Sequence, residues 1–582
     1  MLITCVVRCS NRRAAVLLST VCLLFSTITA QRIAVIGGGI SGTFVSRYLT
    51  DYDQGCNLEE LTLYDPGPIG EYVTESDGLS WQGSRVSTLK LNDGRVIELG
   101  ASILSEKFEL IKEMAASGNL SLAPPFTTGK VESDQHTGFM LYNGNNETVL
   151  NTANLTSFQM KFALLFRYNI DFLLLSRATK DFITRYDVAQ SQLLEDDDYF
   201  FESPDEMWKS VGLDKAVTTS LAAYCRNLWV PEQLPWWRRF SFLGQGSLQE
   251  ELLAGINLVN YNQDNRAVNA LTGIASFSLV ASPPYSIRGG NVQLISSAWD
   301  QAQKNHCAKC SNRCGALRHV RERVSTVVGS LEGFELFGEN GSLLGTHDIV
   351  IVATPLSMSK IDFLVKSNMD TSVLQQMPLG KLIEVGEDAM IPDDPVGHAM
   401  MPRSLPPLVV RPYQQVVTTI VRNGVLQADF FSLSKERIPK AIYMTAKGKA
   451  DLFNITAISE ISADLGIYKV FSNEPLPHSV LVRLLGSDVT VEVEKVWGGR
   501  YGGATPDYRG NGESTEFLLF DGASGFHGHT KSGALYYTNA MEHTLACMET
   551  SAMGSKAVAK LVAKRLEWRP TADSGSGSRD EL

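Results

Sequence analysis

Past its first thirty residues the chain has no apolar run of the ~20 residues a helix needs to cross a bilayer, so no later transmembrane span is expected. It also lacks basic excess: 52 Lys and Arg stand against 63 Asp and Glu, a formal charge of −11. A nucleic-acid partner would demand a basic face, and none is expected. The nine histidines contain no H-E-x-x-H, and the stretch around Ser524 reads Gly-Ala-Ser-Gly instead of G-x-S-x-G, so zinc-protease and nucleophile-elbow chemistry have no footing. His527-Gly528-His529 sits in a glycine-rich stretch without a clear third ligand and reads as a solvated loop. What remains is ordinary globular composition, 44% hydrophobic and 20% charged, which excludes disorder, collagen and coiled coil as the main state.

The two ends read as addresses. Arg8, Arg12 and Arg13 precede an apolar run from Ala14 to Phe25, and Ile28-Thr29-Ala30 offers a small residue for cleavage. Residues 1–30 are therefore expected to be a cleaved signal peptide, the alternative being an uncleaved anchor. Arg579-Asp580-Glu581-Leu582 follows a Ser/Gly spacer and resembles a retrieval signal of the endoplasmic reticulum, with a retrieval receptor as partner. Five N-x-S/T sequons, at Asn119, Asn146, Asn154, Asn340 and Asn454, fit the same luminal compartment. Nine cysteines become six once residues 1–30 are removed. Cys307, Cys310 and Cys314 form C-x2-C-x3-C beside His306. A metal site is one reading; in an oxidising lumen the stronger one is a disulfide, within the cluster or to Cys56, Cys225 or Cys547.

The chemistry-bearing signal begins at Arg32-Ile33-Ala34-Val35-Ile36, a β-branched run expected to be a strand. It enters Gly37-Gly38-Gly39-Ile40-Ser41-Gly42, which satisfies G-x-G-x-x-G, and a helix should follow. Gly37 permits the tight turn, Gly39 lets the backbone approach a pyrophosphate, and Gly42 lets helix pack on strand; the helix N-terminus presents N–H groups to the phosphate. A second strand, Leu61 to Tyr64, ends in Asp65, 23 residues after Gly42, close to the spacing of a ribose-binding acid. The expected fold class is α/β, with a Rossmann-type nucleotide-binding domain.

Gln82-Gly83-Ser84-Arg85-Val86-Ser87-Thr88, a hairpin over Leu89–Ile97 and Glu98-Leu99-Gly100-Ala101 resemble an element of FAD-containing, amine-oxidase-like flavoproteins. Ser84 stands where that element has a second glycine. The resemblance places Arg85 against the cofactor's phosphates or flavin. It also places Glu542, in Leu535-Tyr536-Tyr537-Thr538-Asn539-Ala540-Met541-Glu542, at the ribityl or pyrophosphate region. Arg288-Gly289-Gly290-Asn291 and the strand ending Ala353-Thr354-Pro355 fit the same pattern.

Within that superfamily the chain resembles the prenylcysteine oxidase, or prenylcysteine lyase, family over about residues 32–566. Besides Leu535-Tyr536-Tyr537, Asn539 and Glu542, the match is carried by Met548-Glu549-Thr550-Ser551-Ala552, Val259-Asn260-Tyr261-Asn262-Gln263, Tyr413-Gln414-Gln415-Val416-Val417-Thr418-Thr419 and Tyr468-Lys469-Val470-Phe471-Ser472. Residues 498–512 and the Cys307–Cys314 insert depart from it.

The resemblance implies a thioether oxidase with FAD as cofactor and with prenylcysteine and molecular oxygen as partners. Hydride leaves the isoprenoid C1 for the flavin, water adds to the resulting cation, and collapse gives prenyl aldehyde and cysteine; reoxidation gives hydrogen peroxide. The family is lysosomal in animals, an alternative location. The competing readings are an amine or polyamine oxidase and a non-catalytic luminal flavoprotein.

The implied architecture is a discontinuous FAD domain (31–105, 285–355, 530–568) with a second, α+β substrate domain (106–284, 356–529), between residues 1–30 and a flexible tail, 569–582. Pocket walls are sought among Phe158, Phe162, Leu165, Phe166 and Phe172, and among Trp229, Trp236, Trp237, Phe240 and Phe242. Trp236-Trp237-Arg238-Arg239 is also compatible with peripheral membrane contact. No catalytic side chain is named, since hydride transfer needs none.

Overall fold

The computed structural model describes residues 31–74, 85–124, 139–144, 147–153, 155–195, 199–228, 246–281, 284–330, 333–366, 374–376, 413–434, 438–445, 454–497, 505–506, 508, 515–521 and 533–568. The expected signal peptide at 1–30, the tail expected to carry the retrieval signal, Ser84, His527–His529 and the Trp229–Phe242 cluster lie outside them.

The nucleotide-binding unit is assembled from distant stretches. Strand β1 (Gln31–Ile36) leads through the glycine turn into α1 (Ile40–Tyr52), followed by β2 (Leu58–Tyr64). Much later come α2 (Gln293–Lys309), β3 (Leu317–Val320) and β4 (Ile349–Val352), and finally β5 (Leu518–Asp521), β6 (Ala534–Tyr537) and α3 (Met548–Arg565). They form one six-stranded sheet in the order β3-β2-β1-β4-β6-β5. Every pairing is parallel except β5–β6. A central parallel strand is covered on both faces and so reads as continuous apolar sequence: Ile33, Ala34 and Val35 are fully buried. Val35 lies in register between Leu63 and Ile351. Helix α1 packs against both α2 and α3.

Cys56, in the turn between α1 and β2, is disulfide-bonded to Cys310 at the end of α2, joining positions 254 residues apart. The expected disulfide of the cysteine cluster therefore runs from Cys310 to Cys56. Asp53, His306 and Cys310 converge closely enough to suggest a metal site, but the Cys310 sulfur is committed to Cys56 and is not a thiolate ligand.

The rest of the described chain holds a seven-stranded mixed sheet ordered Thr490–Trp497, Val416–Arg422, Ile467–Ser472, Ile455–Ser462, Ala441–Met444, Phe139–Tyr142, Thr148–Asn151. A five-stranded sheet runs Leu343–His347, Gly333–Gly338, Val324–Ser330, Asp362–Lys366, Leu374–Gln376. Helices, led by Ser157–Glu195 with a break at Asn169, complete it. Hydrogen bonding crosses two of the domain limits drawn from the sequence. Asp362–Lys366 pairs with Val324–Ser330, and β5 pairs with β6. No helix among the described residues is long and apolar enough to cross a membrane.

Candidate functional site

The glycine turn has the form its sequence predicts. Gly37 adopts φ +112°, and a Cβ there would stand 2.5 Å from Thr354 Cγ2. At Gly42 a Cβ would fall 1.7 Å from the Gly37 carbonyl oxygen, so the helix is seated directly on the turn. Ile40 and Ser41 are buried, and the Ser41 carbonyl accepts the Ser555 hydroxyl of α3 at 2.9 Å. Among the six residues Gly39 alone keeps partial exposure. It is the N-cap of α1 and has no side chain to occupy the leading N–H groups of that helix. Asp65 closes the turn from the end of β2: its carboxylate accepts the Gly38 N–H at 2.6 Å and the Gly67 N–H at 2.8 Å.

Arg85 and Glu542, 457 residues apart, form a two-pronged ion pair, with Nη1 to Oε2 at 2.9 Å and a second contact from Nη2 to Oε1. Glu542 is buried, while the Arg85 side chain keeps 30% exposure. The Tyr413 hydroxyl donates to the same carboxylate at 2.5 Å, and the guanidinium lies 5.8 Å from the Tyr413 ring centre. Burial opposes the Arg85 charge, but Glu542 and Tyr413 outweigh it and hold the guanidinium protonated. Burial, then Glu542, pushes the Tyr413 phenol well above its ordinary value, keeping it a donor.

The network extends. Tyr508 donates its hydroxyl to the Glu542 carbonyl at 3.1 Å, and the Tyr508 N–H donates to Gln263 Oε1 at 3.0 Å. Gln263 Nε2 donates to the Pro506 carbonyl at 2.8 Å, and Asn262 Nδ2 to the Gln415 carbonyl at 2.8 Å. The Val259–Gln263, Tyr413–Thr419 and Leu535–Glu542 motifs, far apart in sequence, thus meet around one residue, Glu542, the first through Tyr508 on its backbone carbonyl and the second on its carboxylate.

Lys469 is buried and donates to the Glu98 carbonyl at 2.7 Å and to Ser102 Oγ at 2.6 Å. The Glu98 carboxylate accepts the Asn291 N–H at 2.6 Å and the Thr88 hydroxyl at 2.9 Å. Burial pushes Glu98 up to about 7 and Lys469 down to about 7. The Glu549 motif is structural: its buried carboxylate accepts the N–H groups of Leu110 and Ile111 at 2.8 and 3.0 Å, and the Gln190 amide at 2.5 Å.

The family resemblance singles out Arg85 and Glu542 without pairing them, and the structure sets them face to face. Tyr413, Gln263 and Lys469 lie in quoted motifs without an assigned role. Tyr508 falls in the departing glycine-rich stretch and carries no signal. The expected aromatic walls fare differently. Phe158, Phe162 and Phe166 are 69%, 44% and 52% exposed and enclose no pocket among the described residues: their spacing puts them on one face of the Ser157–Glu195 helix, and that face is turned away from the described core. Phe172 packs against the main core.

The turn, the sheet order and Asp65 define a Rossmann-type dinucleotide-binding fold, and the family match makes the chain an FAD-dependent oxidoreductase. The chain belongs to the prenylcysteine lyase family, whose profile matches residues 153–379 and 397–573. It is 23% identical over 549 residues to farnesylcysteine lyase of Arabidopsis thaliana, covering 92% of this chain and 88% of that one. It is 22% identical over 552 residues to prenylcysteine oxidase 1 of Mus musculus, covering 92% and 89%. Among solved structures it is similar to cyclohexylamine oxidase from Brevibacterium oxydans IH-35A, with 13% identity, TM-score 0.48, and 92% and 100% of the two chains covered. Putrescine oxidase bound to putrescine has 12% identity and TM-score 0.48, with 92% and 99% covered.

Proposed function

We propose that the protein is an FAD-dependent thioether oxidase that cleaves farnesyl- or geranylgeranyl-cysteine. The observation that carries this reading is the meeting of the family's middle motifs on Glu542, opposite Arg85. The residues present fit FAD. The turn is packed too tightly for a side chain at Gly37 or Gly42, it leaves the side-chain-free N-cap Gly39 partly exposed at the start of α1, and the Thr354 hydroxyl against it is buried with no hydrogen-bond partner among the described residues. Gly37–Gly42 and the α1 N-terminus would hold the pyrophosphate, Asp65 the ribose, and Arg85 with Glu542 the polar span toward the ring.

Bound FAD would supply the two-electron, hydride-accepting chemistry. The overall conversion balances as thioether, oxygen and water giving aldehyde, cysteine and hydrogen peroxide. The chain's own contribution is positional. Glu542 holds Arg85 and Tyr413 in fixed orientation, and Tyr508 ties that group to Gln263, so the polar floor is preorganised. A luminal, secretory-pathway location is part of the proposal. It is supported by the Cys56–Cys310 disulfide and by the exposure of the described sequon residues Asn119, Asn340 and Asn454.

The test is anaerobic addition of farnesylcysteine, S-octylcysteine and spermine to the purified flavoprotein. Farnesylcysteine should bleach the flavin absorbance and yield farnesal. Bleaching by spermine alone would replace this reading with a polyamine oxidase, and bleaching by none would leave a non-catalytic flavoprotein.

A further inference from the structure

The cysteine cluster at the end of α2 holds more than the Cys56–Cys310 bridge. Cys307, in the last turn of α2, and Cys314, beyond the short Ser311–Arg313 helix, are unbridged and reach solvent, Cys314 the more exposed. The chain folds back between them. Cys307 Sγ lies 3.3 Å from the Cys314 carbonyl oxygen, and Cys314 Sγ lies 3.7 Å from the Cys307 carbonyl oxygen. This reciprocal geometry, each thiol against the other's carbonyl, places both in the mouth of one small loop.

The loop is anchored on both sides. Cys310 within it is bonded to Cys56, and Arg313 Nη1 donates to the Cys56 and Leu58 carbonyls at 3.0 and 3.3 Å. Lys309 Nζ donates to the Thr50 and Asp51 carbonyls at 3.3 and 3.2 Å. The loop that carries Cys307 and Cys314 is thus held by the fold.

We propose that Cys307 and Cys314 are a redox-responsive dithiol that closes a second disulfide around the Cys56–Cys310 bridge, with small-molecule or protein disulfides as its oxidant. The step is thiol–disulfide exchange. The thiolate of Cys314, the more exposed, attacks RS–SR, forming a mixed disulfide and releasing one RSH. The Cys307 thiolate then attacks the Cys314 sulfur, forming Cys307–Cys314 and releasing the second RSH. The two cysteine sulfurs lose two electrons and two protons, and the external disulfide gains both. The product ties the end of α2 to the entry of β3, on the side of the sheet's edge already stapled by Cys56–Cys310.

The sequence makes the test unambiguous, because Lys304, Lys309, Arg313 and Arg318 let trypsin place Cys307, Cys310 and Cys314 on three different peptides. The full-length protein is equilibrated with reduced and oxidised glutathione at several ratios, acid-quenched, alkylated and mapped. The expected result is loss of two alkylatable thiols together, with a new Cys307–Cys314 cross-linked peptide while the Cys56–Cys310 peptide persists. In Cys307→Ser the second step is blocked, so a glutathione adduct should accumulate on Cys314 to near stoichiometry. Full alkylation of both thiols under oxidised glutathione would overturn the proposal. So would a stable Cys314 adduct in the unsubstituted protein, or cross-linking of Cys307 to Cys310 in place of Cys314.

Discussion

Arg85 and Glu542 grip each other with two contacts across 457 residues of chain, and the Tyr413 hydroxyl donates to the same carboxylate at 2.5 Å. Taken singly, the Arg85 element and the returning Glu542 segment would give each residue a separate duty toward a cofactor. Their pairing makes them a single unit whose removal is not additive.

Glu542→Gln should therefore destabilise the protein by about 2 kcal/mol, because it leaves the Arg85 guanidinium, only partly exposed, without its counter-charge. Arg85→Met in the Glu542→Gln background should recover part of that loss. A double-mutant cycle on thermal unfolding, with bound flavin read by absorbance, checks this; additive losses would show that the two side chains act independently.

Gly39→Val should leave a folded chain that binds FAD at least about tenfold more weakly, since a side chain would fill the space kept for the pyrophosphate. Gly42→Ala should be more severe and reduce folded yield, because its Cβ would fall 1.7 Å from a backbone oxygen. Gly315→Ala is the control, as a Cβ there meets nothing within 4 Å. Flavin-to-protein ratio and soluble yield read all three.

His347 gives a pH dependence with a definite sign. Its Nε2 lies 2.8 Å from the Tyr64 hydroxyl, and burial pushes it from 6.5 down to about 4, with Glu60 opposing and Arg32 and Arg318 adding to the shift. The unfolded chain takes up the proton first, so stability is full above about 6.5 and falls as pH drops toward 4, by about 3 kcal/mol. His347→Phe should flatten that slope in urea unfolding between pH 7 and 4. At neutral pH it should cost about 1 kcal/mol through the lost Tyr64 partner.

Tyr508→Phe removes only the hydroxyl donated to the Glu542 carbonyl. It should lower stability by about 1 kcal/mol and reduce kcat more than KM, because it loosens the orientation of Glu542 and not a substrate contact. An unchanged kcat with raised KM would place Tyr508 against the substrate.

The nucleotide-binding unit was legible because its rules are local. A buried parallel strand must be apolar on both faces, and a turn that seats a helix on a strand must be glycine, so Ile33–Gly42 announces itself. Asp65 follows from spacing, and the Ile349–Val352 strand from the resemblance of the segment ending Ala353-Thr354-Pro355. The network around Glu542 was not legible, because it depends on which distant segments the sheets bring together. No pattern within residues 498–512 signals that Tyr508 reaches Glu542. Periodicity also misled: Phe158, Phe162 and Phe166 do share a helix face, but helical spacing alone does not say whether that face turns inward. The cysteine spacing limited the disulfide to a few partners, and choosing Cys56 required knowing that α2 ends beside the α1–β2 turn.

The Cys56–Cys310 bridge also sets a timetable for making the protein. Synthesis runs at roughly 5–20 residues per second, so Cys56 emerges about 10–50 s before its partner 254 residues later exists. During that interval Cys225 is the first alternative thiol to appear, and it ends up buried in the finished fold. The first half of the nucleotide-binding unit thus stays unlatched while the intervening chain is made. A premature Cys56–Cys225 link would be an error that disulfide isomerisation must undo before the sheet can receive β3.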